Sequence, residues 1–91
     1  MNLKVYQFEA MIIKVEDIDG AYIEFPFDVK KEFNKGRVFV EATFDGEIYH
    51  GSLVKMQTEC HIIGIRKDIR KKINKQPGEM INVTIKERKH E

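Results

Sequence analysis

The chain has 91 residues, enough for one domain, and its 42% hydrophobic and 34% charged residues exclude a disordered protein. Sixteen Lys and Arg residues against fifteen Asp and Glu residues leave a net charge of +1, which points to no nucleic-acid or acidic partner. One cysteine excludes an intramolecular disulfide, and its spacing to the three histidines does not suit a structural metal site. We therefore expect one domain over residues 1–88, a frayed tail at 89–91, and neither metal nor cofactor.

The sequence carries no sign of export or of a membrane span. Its amino terminus lacks the long apolar run and the small-residue cleavage site of a signal peptide. The longest apolar run, residues 10–13, is far shorter than a membrane span requires. A single cysteine also fits a reducing compartment, so we expect a cytoplasmic protein that does not bind membranes.

The first quarter of the chain is predicted to be extended. Hydrophobic alternation indicates a strand over residues 3–14, and its irregularity near Tyr6 predicts a bulge or a change of buried face. Residues 17–20 form a predicted turn in which Gly20 supplies a positive φ. A short strand follows at residues 21–25.

A short helix and a β-hairpin form the predicted middle of the chain. Asp28 suits the N-cap of a helix that runs through residue 34, and Gly36 is the predicted left-handed residue that ends it. Strict alternation over residues 38–44, followed by an Asp-Gly pair, is a strong hairpin signal. Residues 47–55 are therefore expected to return as the partner strand.

The remaining elements complete a mainly β pattern. They are a polar loop at 57–59, a strand at 60–65, a helix at 66–74, a turn at 77–78 and a strand at 80–87. Six or seven short strands, mostly antiparallel, with two short helices are typical of a barrel or a sandwich.

An internal repeat relates the two halves of the chain at a shift of forty residues. The matching pairs are Ile23 and Ile63, Asp28 and Asp68, Val29 and Ile69, Lys31 and Lys71, Phe33 and Ile73, Asn34 and Asn74, and Lys35 and Lys75. The unit strand, short helix, glycine turn and strand therefore occurs twice. Two such units can bury each other's apolar faces about a pseudo-twofold axis.

The second repeat unit resembles a DNA-binding motif. Residues 65–73, the turn at 77–79 and the strand residues Ile81 and Val83 are similar to the looped-hinge-helix motif of the AbrB-like proteins. Arg66 stands where that motif has a proline. The resemblance implies that the basic helix binds nucleic acid.

A second resemblance covers nearly the whole chain. It is carried by residues 8–10, 25–29, Phe33, 35–38, Val40, Gly46, 51–53, His61, Arg70 and 77–78. These residues look like the bacterial family called domain of unknown function 1905, which is similar to small double-psi-like barrels. The resemblance implies a closed barrel of six or seven strands and assigns no activity. The chain departs from the family before His61, where the family often carries glycines, and at Gly64, where it usually has proline.

The segment 66–75 concentrates positive charge. It holds six basic residues and one acid, so it carries +5 while the rest of the chain sums to −4. This asymmetry can make a phosphate-binding face, or it can be a solvated helix whose lysines maintain solubility. No aromatic residue lies among these cations, which disfavours a stacking platform for single strands.

Ser52 and His61 are the one pair with catalytic residue types. They could act as nucleophile and base. The sequence around them has no nucleophile elbow, no orienting acid at a recognisable spacing and no oxyanion loop. The alternative is a serine that closes a backbone hydrogen bond.

Arg70 follows the predicted core residue Ile69 and matches an arginine in both families that the chain resembles. Its stem can pack along the barrel while its guanidinium binds a carboxylate or a carbonyl. That contact is either a bridge between helix and barrel or part of a ligand site. Tyr22, Tyr49 and His50 are candidates for a pocket wall, with cross-strand packing as the alternative.

We therefore expect a non-enzymatic binding module for a small or anionic ligand or a protein partner, as a monomer or weak homo-oligomer. The predicted ligand-binding residues are Ser52, His61, Arg66, Lys67, Arg70 and Lys71, in a cleft beside the start of the second helix, whose amides can attract anions. Two alternatives stay open. The first is nucleic-acid binding through the basic helix, and the second is hydrolase-like activity at Ser52 and His61.

Overall fold

Seven strands and two short helices make up the part of the chain that the computed structural model describes, residues 2–55 and 59–89. In chain order they are β1 (Val5–Met11), β2 (Ile13–Val15), β3 (Gly20–Glu24), α1 (Val29–Phe33), β4 (Val38–Phe44), β5 (Glu47–Leu53), β6 (Ile62–Gly64), α2 (Lys67–Ile73) and β7 (Met80–Glu87). The strands form two antiparallel sheets, ordered β1-β7-β4-β5 and β2-β3-β6. The predicted mainly β fold with two short helices is confirmed.

The first predicted strand is divided between the two sheets. Val5 to Met11 pairs residue for residue with β7, and Tyr6, Phe8 and Ala10 share its more buried face. Both alternatives predicted near Tyr6, a bulge and a change of buried face, are therefore wrong. The break comes at Ile12, whose N–H donates to the Glu79 carbonyl at 3.0 Å and whose carbonyl accepts from Gly78 N–H at 2.8 Å. With these bonds to the turn before β7 the first strand ends, and the chain continues from Ile13 in the second sheet as β2.

Neither sheet closes on itself within the described residues, so the predicted closed barrel is wrong. An isolated antiparallel bridge between Val54 and Ile62 joins the end of β5 to β6. Three-residue strands such as β2 and β6 are too short to continue the ladder around a barrel. The double-psi connection stays a prediction.

The core lies between the two sheets and the helices. Alternation on β4 buries Val38, Val40, Ala42 and Phe44, as the sequence predicts. Phe25 lies in an aromatic cluster, with ring centroids 5.4 Å from Tyr6, 5.7 Å from Phe8 and 6.0 Å from Phe33. Such edge-on and tilted ring contacts add to the stabilisation from buried apolar area.

Helix α1 begins as predicted and ends earlier. The Asp28 side chain accepts a hydrogen bond from Lys31 N–H at 3.2 Å, which confirms the N-cap. Asn34, with φ 57°, is the left-handed residue that ends the helix, so the prediction for Gly36 is wrong. In the turn before β3 the positive φ belongs to Asp17 and not to Gly20. Asn and Asp tolerate this conformation better than other residues with side chains.

The Asp45-Gly46 hairpin is confirmed, since both residues have a positive φ and join β4 to β5. The predicted loop residues 57–58 and the tail residues 90–91 lie outside the described residues. Arg88, just beyond β7, donates to the carbonyl of Val40 at 3.0 Å.

The two repeat units lie antiparallel to each other. Each contains a strand, a short helix and a strand, β3-α1-β4 and β6-α2-β7. Ile23 pairs with its repeat equivalent Ile63, and β4 pairs antiparallel with β7. Asn34 and Asn74 end the two helices in the same left-handed conformation, with φ 57° at both. Equivalent elements that pair antiparallel are what a twofold relation requires.

Candidate functional site

The site is centred on Arg70, which α2 directs into the protein. Ile65, Ile69 and Ile73 are spaced by four residues and form the apolar stripe of this segment, and Arg70 lies at the edge of that stripe. Its side chain is only 6% exposed. A charge buried to this degree needs partners, because removing it from water is costly.

Asp19 supplies the carboxylate that faces Arg70. Its Oδ1 lies 3.3 Å from Arg70 Nη2, and its Oδ2 lies 3.0 Å from Lys67 Nζ. The Lys67 hydrogen bond and charge, followed by the Arg70 hydrogen bond, hold the pKa of the Asp19 carboxyl below its usual value. Asp19 is therefore ionised at neutral pH and lies between two cations.

One nitrogen of the Arg70 guanidinium, Nε, has no partner in this arrangement. It is buried and has no hydrogen-bond partner among the described residues. Nε and Nη2 present two parallel N–H groups, the fork that binds a carboxylate or a phosphate with two hydrogen bonds. Asp19 accepts from Nη2 alone. One donor of the fork therefore stays unsatisfied, and an unsatisfied buried donor is destabilising.

Two small cavities meet at this cluster. Asp19, Lys67 and Arg70 line both of them and form their common wall. One cavity, of about 220 Å³, is also lined by Ala21, Tyr49, Gly64, Ile65 and Arg66. The other, of about 240 Å³, is completed by Lys71 and Gln76. Four of the six predicted ligand-binding residues, Arg66, Lys67, Arg70 and Lys71, are thus brought together. Of the three predicted wall residues, Tyr49 lines the first cavity, whereas Tyr22 and His50 line neither.

Three of the four other cations of the basic segment face acids. The ion pairs are Arg66–Asp68 at 3.2 Å, Lys72–Glu47 at 3.5 Å and Lys75–Asp45 at 3.8 Å. Lys72 and Lys75 thereby connect α2 and the turn after it to the β4–β5 hairpin. Lys71 has no ion pair in the described part of the chain. The segment is less available to an extended anion than its sequence charge indicates.

Amides at the start of α2 do not form the site. The helix has only seven residues, and the Ile69 N–H donates to the Asp68 side chain at 3.0 Å. Arg66 stands at the N-cap position without a capping side-chain bond. Side-chain cations therefore carry the positive charge that faces the cavities.

Ser52 and His61 lie apart from this cluster and from each other. His61 Nε2 lies 2.7 Å from the Gly36 carbonyl, which only accepts, so this nitrogen carries a proton. His61 lines a separate groove of about 680 Å³ with Phe27 and Cys60. The Val54–Ile62 bridge sets a register that places His61 three residues along from Ser52, roughly 10 Å away. No hydrogen bond joins Ser52 to His61 within the described residues.

Asp19 is the member of the site that the sequence analysis did not identify. It lies in a predicted turn, and its contact with Arg70 spans 51 positions of sequence. The sequence signal that could have identified Asp19 is the internal repeat. Pairing Ile23 with Ile63 in antiparallel register brings residue 19 opposite residue 67.

Residues 2–55 and 59–89 contain no group of three His, Cys, Asp or Glu side chains placed to hold a metal ion. Over the same ranges, no helix has the length and apolar character needed to cross a membrane. The chemistry available at the Arg70 cluster is that of its charged side chains and the hydrogen bonds they form.

A family model described as a domain of unknown function (DUF1905) matches residues 8–85. The match contains the first repeat unit, the Asp19 turn and all of the second repeat unit except the last two residues of β7. No curated protein matches the chain.

Proposed function

The chain belongs to the DUF1905 family, a domain of unknown function, and we propose that it is a non-enzymatic binding module for a small anionic ligand. One observation carries the proposal. Arg70 is a buried guanidinium with an unsatisfied Nε–H, and it lies in the wall between two cavities. A single cysteine and a balanced total charge support a cytoplasmic module.

The balance of charge at the cluster favours an anion. Arg66, Lys67, Arg70 and Lys71 face the cavities, against the carboxylates of Asp19 and Asp68. A net excess of two positive charges therefore surrounds two solvent-open depressions, with the buried Arg70 guanidinium at both. Charge-assisted hydrogen bonds in such surroundings are shorter and stronger than neutral ones. An anion that took the place of Asp19 at the fork would satisfy the Nε–H of Arg70, which is buried as the structure stands.

Nucleic-acid binding is the second candidate, and the contacts support it less. Arg66, Lys72 and Lys75 are engaged with acids of the same chain. Exposed ion pairs are weak, so these cations can separate from their acids. In the structure, however, each lies beside a carboxylate, so the three do not form a continuous basic face. The excess of two positive charges at the Arg70 cluster lies instead at cavities of about 220 and 240 Å³, which suit a small molecule better than a duplex.

Hydrolysis at Ser52 and His61 is the third candidate. It needs the serine hydroxyl and the imidazole within hydrogen-bond reach. The register that separates them and the His61 bond to Gly36 both argue against such a pair. We therefore propose binding and not catalysis.

The test is a titration of the protein with sodium acetate, benzoate and phosphate and with a short DNA duplex, followed by NMR. Arg70→Met removes the guanidinium, and Lys30→Met is the matched control, because residue 30 is the repeat equivalent of residue 70. We expect at least one small anion to shift the amide signals of residues 66–71 and to bind Arg70→Met at least about tenfold more weakly, a loss of about 1.4 kcal/mol.

Lys30→Met should bind that anion as the unaltered protein does. Equal binding by Arg70→Met would contradict the proposal, and so would the absence of any response at residues 66–71. If Arg70→Met fails to fold, Arg70→Lys keeps the charge without the fork and gives the same comparison. A response to the duplex alone, lost on adding salt, would favour nucleic-acid binding instead.

A further inference from the structure

We propose that the ligand is a small carboxylate with an apolar body, and that its carboxylate displaces Asp19 from Arg70 on binding. The inference rests on the proposed function and adds the ligand class and the role of Asp19. In this account Asp19 is an internal competitor that occupies half of the Arg70 fork until the ligand arrives.

Asp19 is an imperfect partner for Arg70. Their contact of 3.3 Å is longer than the roughly 2.7–2.9 Å of a good charge-assisted bond, and it uses Nη2 alone. The second N–H of the fork, on Nε, is buried without an acceptor. A carboxylate in the fork would take both N–H groups side by side. Arg70 can therefore gain a hydrogen bond by exchanging partners.

Moving the Asp19 carboxylate away from Arg70 costs little free energy. Its side chain is 59% exposed, so the carboxylate can turn into water without being buried unpaired. Its bond to Lys67 joins two exposed side chains, and such pairs contribute little to stability. The turn that carries it, residues 16–19, is exposed throughout, Ile18 included. A change of the Asp19 rotamer is enough, with no movement of a strand.

The cavities indicate what accompanies the carboxylate. Because Asp19, Lys67 and Arg70 form the wall between them, turning Asp19 outward would join the two spaces. The cavity on one side of Arg70 is bounded by Ile65, Ala21 and Tyr49. An apolar or aromatic body would pack there while its carboxylate faces Arg70. Its volume of about 220 Å³ is below the roughly 300–1,000 Å³ of pockets for larger ligands, so the body is small.

Sodium benzoate is the probe that fits this description, with acetate and inorganic phosphate as comparison anions. Binding is followed by NMR in the unaltered protein, in Asp19→Asn and in Asp17→Asn. The Asp17 variant removes the same charge from the same turn, and asparagine tolerates the positive φ of 67° at that position. It therefore controls for long-range electrostatics.

We expect Asp19→Asn to bind benzoate about tenfold more tightly than the unaltered protein, because the competitor is gone. Asp17→Asn should differ by no more than about twofold, since its charge lies outside the fork. Benzoate should also bind more tightly than acetate, because acetate has almost no apolar body. In the unaltered protein, saturation with benzoate should return the pKa of Asp19 toward its ordinary value.

The outcomes separate the two proposals. An equal gain in both variants would mean that benzoate responds to charge alone, which overturns the displacement of Asp19. Weaker binding by Asp19→Asn would mean that Asp19 holds Arg70 in place, which also overturns it. Phosphate binding at residues 66–71 without benzoate binding would overturn the ligand class and leave the proposed function standing. No response to any of the three anions would overturn both.

Discussion

Ile23 on β3 pairs directly with Ile63 on β6, and the two isoleucines occupy the same position in the two repeat units. The same antiparallel register, continued beyond the ends of the strands, brings Asp19 opposite Lys67. The 3.0 Å contact between Lys67 Nζ and Asp19 Oδ2 is thus a consequence of sheet register. The pairing of β3 with β6, one of the two that join the repeat units, also assembles the Arg70 site.

Arg70→Met is expected to leave the free energy of unfolding unchanged or to raise it. Methionine keeps an apolar stem and removes a buried donor whose missing partner costs about 1–3 kcal/mol. Since Asp19 is exposed, the substitution leaves no buried charge unpaired. Urea unfolding measures the change, and Ile69→Ala, at the neighbouring core position, should lose about 2–5 kcal/mol.

A loss of more than about 2 kcal/mol in Arg70→Met would support the other interpretation of this residue, a bridge between α2 and the sheets. The variant therefore distinguishes a residue kept for binding from one kept for stability.

Gly51→Ala is expected to weaken benzoate binding through Tyr49. A β-carbon at position 51 would lie 2.5 Å from Tyr49 Cε2, so the ring has to move. Tyr49 lines the cavity beside Arg70, and its displacement should raise the benzoate dissociation constant by about threefold or more. Gly36→Ala is the control, because nothing lies within 4 Å of its β-carbon position. Equal affinities in the two variants would show that Tyr49 does not contact the ligand.

Glu87 is expected to make the fold sensitive to acid. Burial acts to raise the pKa of its carboxyl, but hydrogen bonds from Lys35 at 2.6 Å and from the Asn2 amide at 2.8 Å lower it overall. A carboxyl group with a lowered pKa in the folded state stabilises fully above its unfolded value, here 4.5. That contribution is lost as the pH falls through the folded-state pKa.

Melting temperatures measured from pH 7 down to about pH 2 check this expectation. The temperature should fall more steeply with acid in the unaltered protein than in Glu87→Gln, which has no carboxylate to protonate. Glu9→Gln, at an exposed position on β1, should follow the unaltered protein. Parallel curves for the unaltered protein and Glu87→Gln would contradict the role given to Glu87.

Asn34 and Asn74 are expected to contribute equally to helix termination. Each has φ 57°, a conformation that disfavours an ordinary side chain by roughly 1–2 kcal/mol. Alanine at either position should lower the free energy of unfolding by about 1 kcal/mol, and glycine should not. Gly36→Ala should have no such effect, because Gly36 is outside the left-handed region. Urea unfolding of these variants would contradict this assignment if Gly36→Ala were the most destabilised.

Local signals in the sequence were sufficient for the hairpin and the helices. The Asp45-Gly46 pair and the alternation on either side of it determine β4 and β5 through contacts between neighbouring residues. The Asp28 cap works in the same way. Glycine preference alone misplaced the left-handed residues, because Asp17 and Asn34 accept that conformation and come earlier in the chain.

Features that depend on distant pairing were not predicted. The passage of Ile12 from one sheet to the other depends on bonds to the turn before β7, 66 residues or more along the chain. The site followed the same rule. Arg66, Lys67, Arg70 and Lys71 are close in sequence, within about two helical turns, so the basic segment alone was enough to group them. Asp19 reaches them only through the pairing of β3 with β6.

The most direct test of the Arg70 site is the NMR signal of its own Nε–H, followed as sodium benzoate or phosphate is added. A buried donor without an acceptor should give an observable signal that moves progressively and saturates when an anion accepts its hydrogen bond. The account predicts that shift, and its absence from the Nε–H signal of Arg88, which lies outside the site and already donates to the Val40 carbonyl. An Arg70 Nε–H signal that stays fixed while the anion binds elsewhere would contradict it.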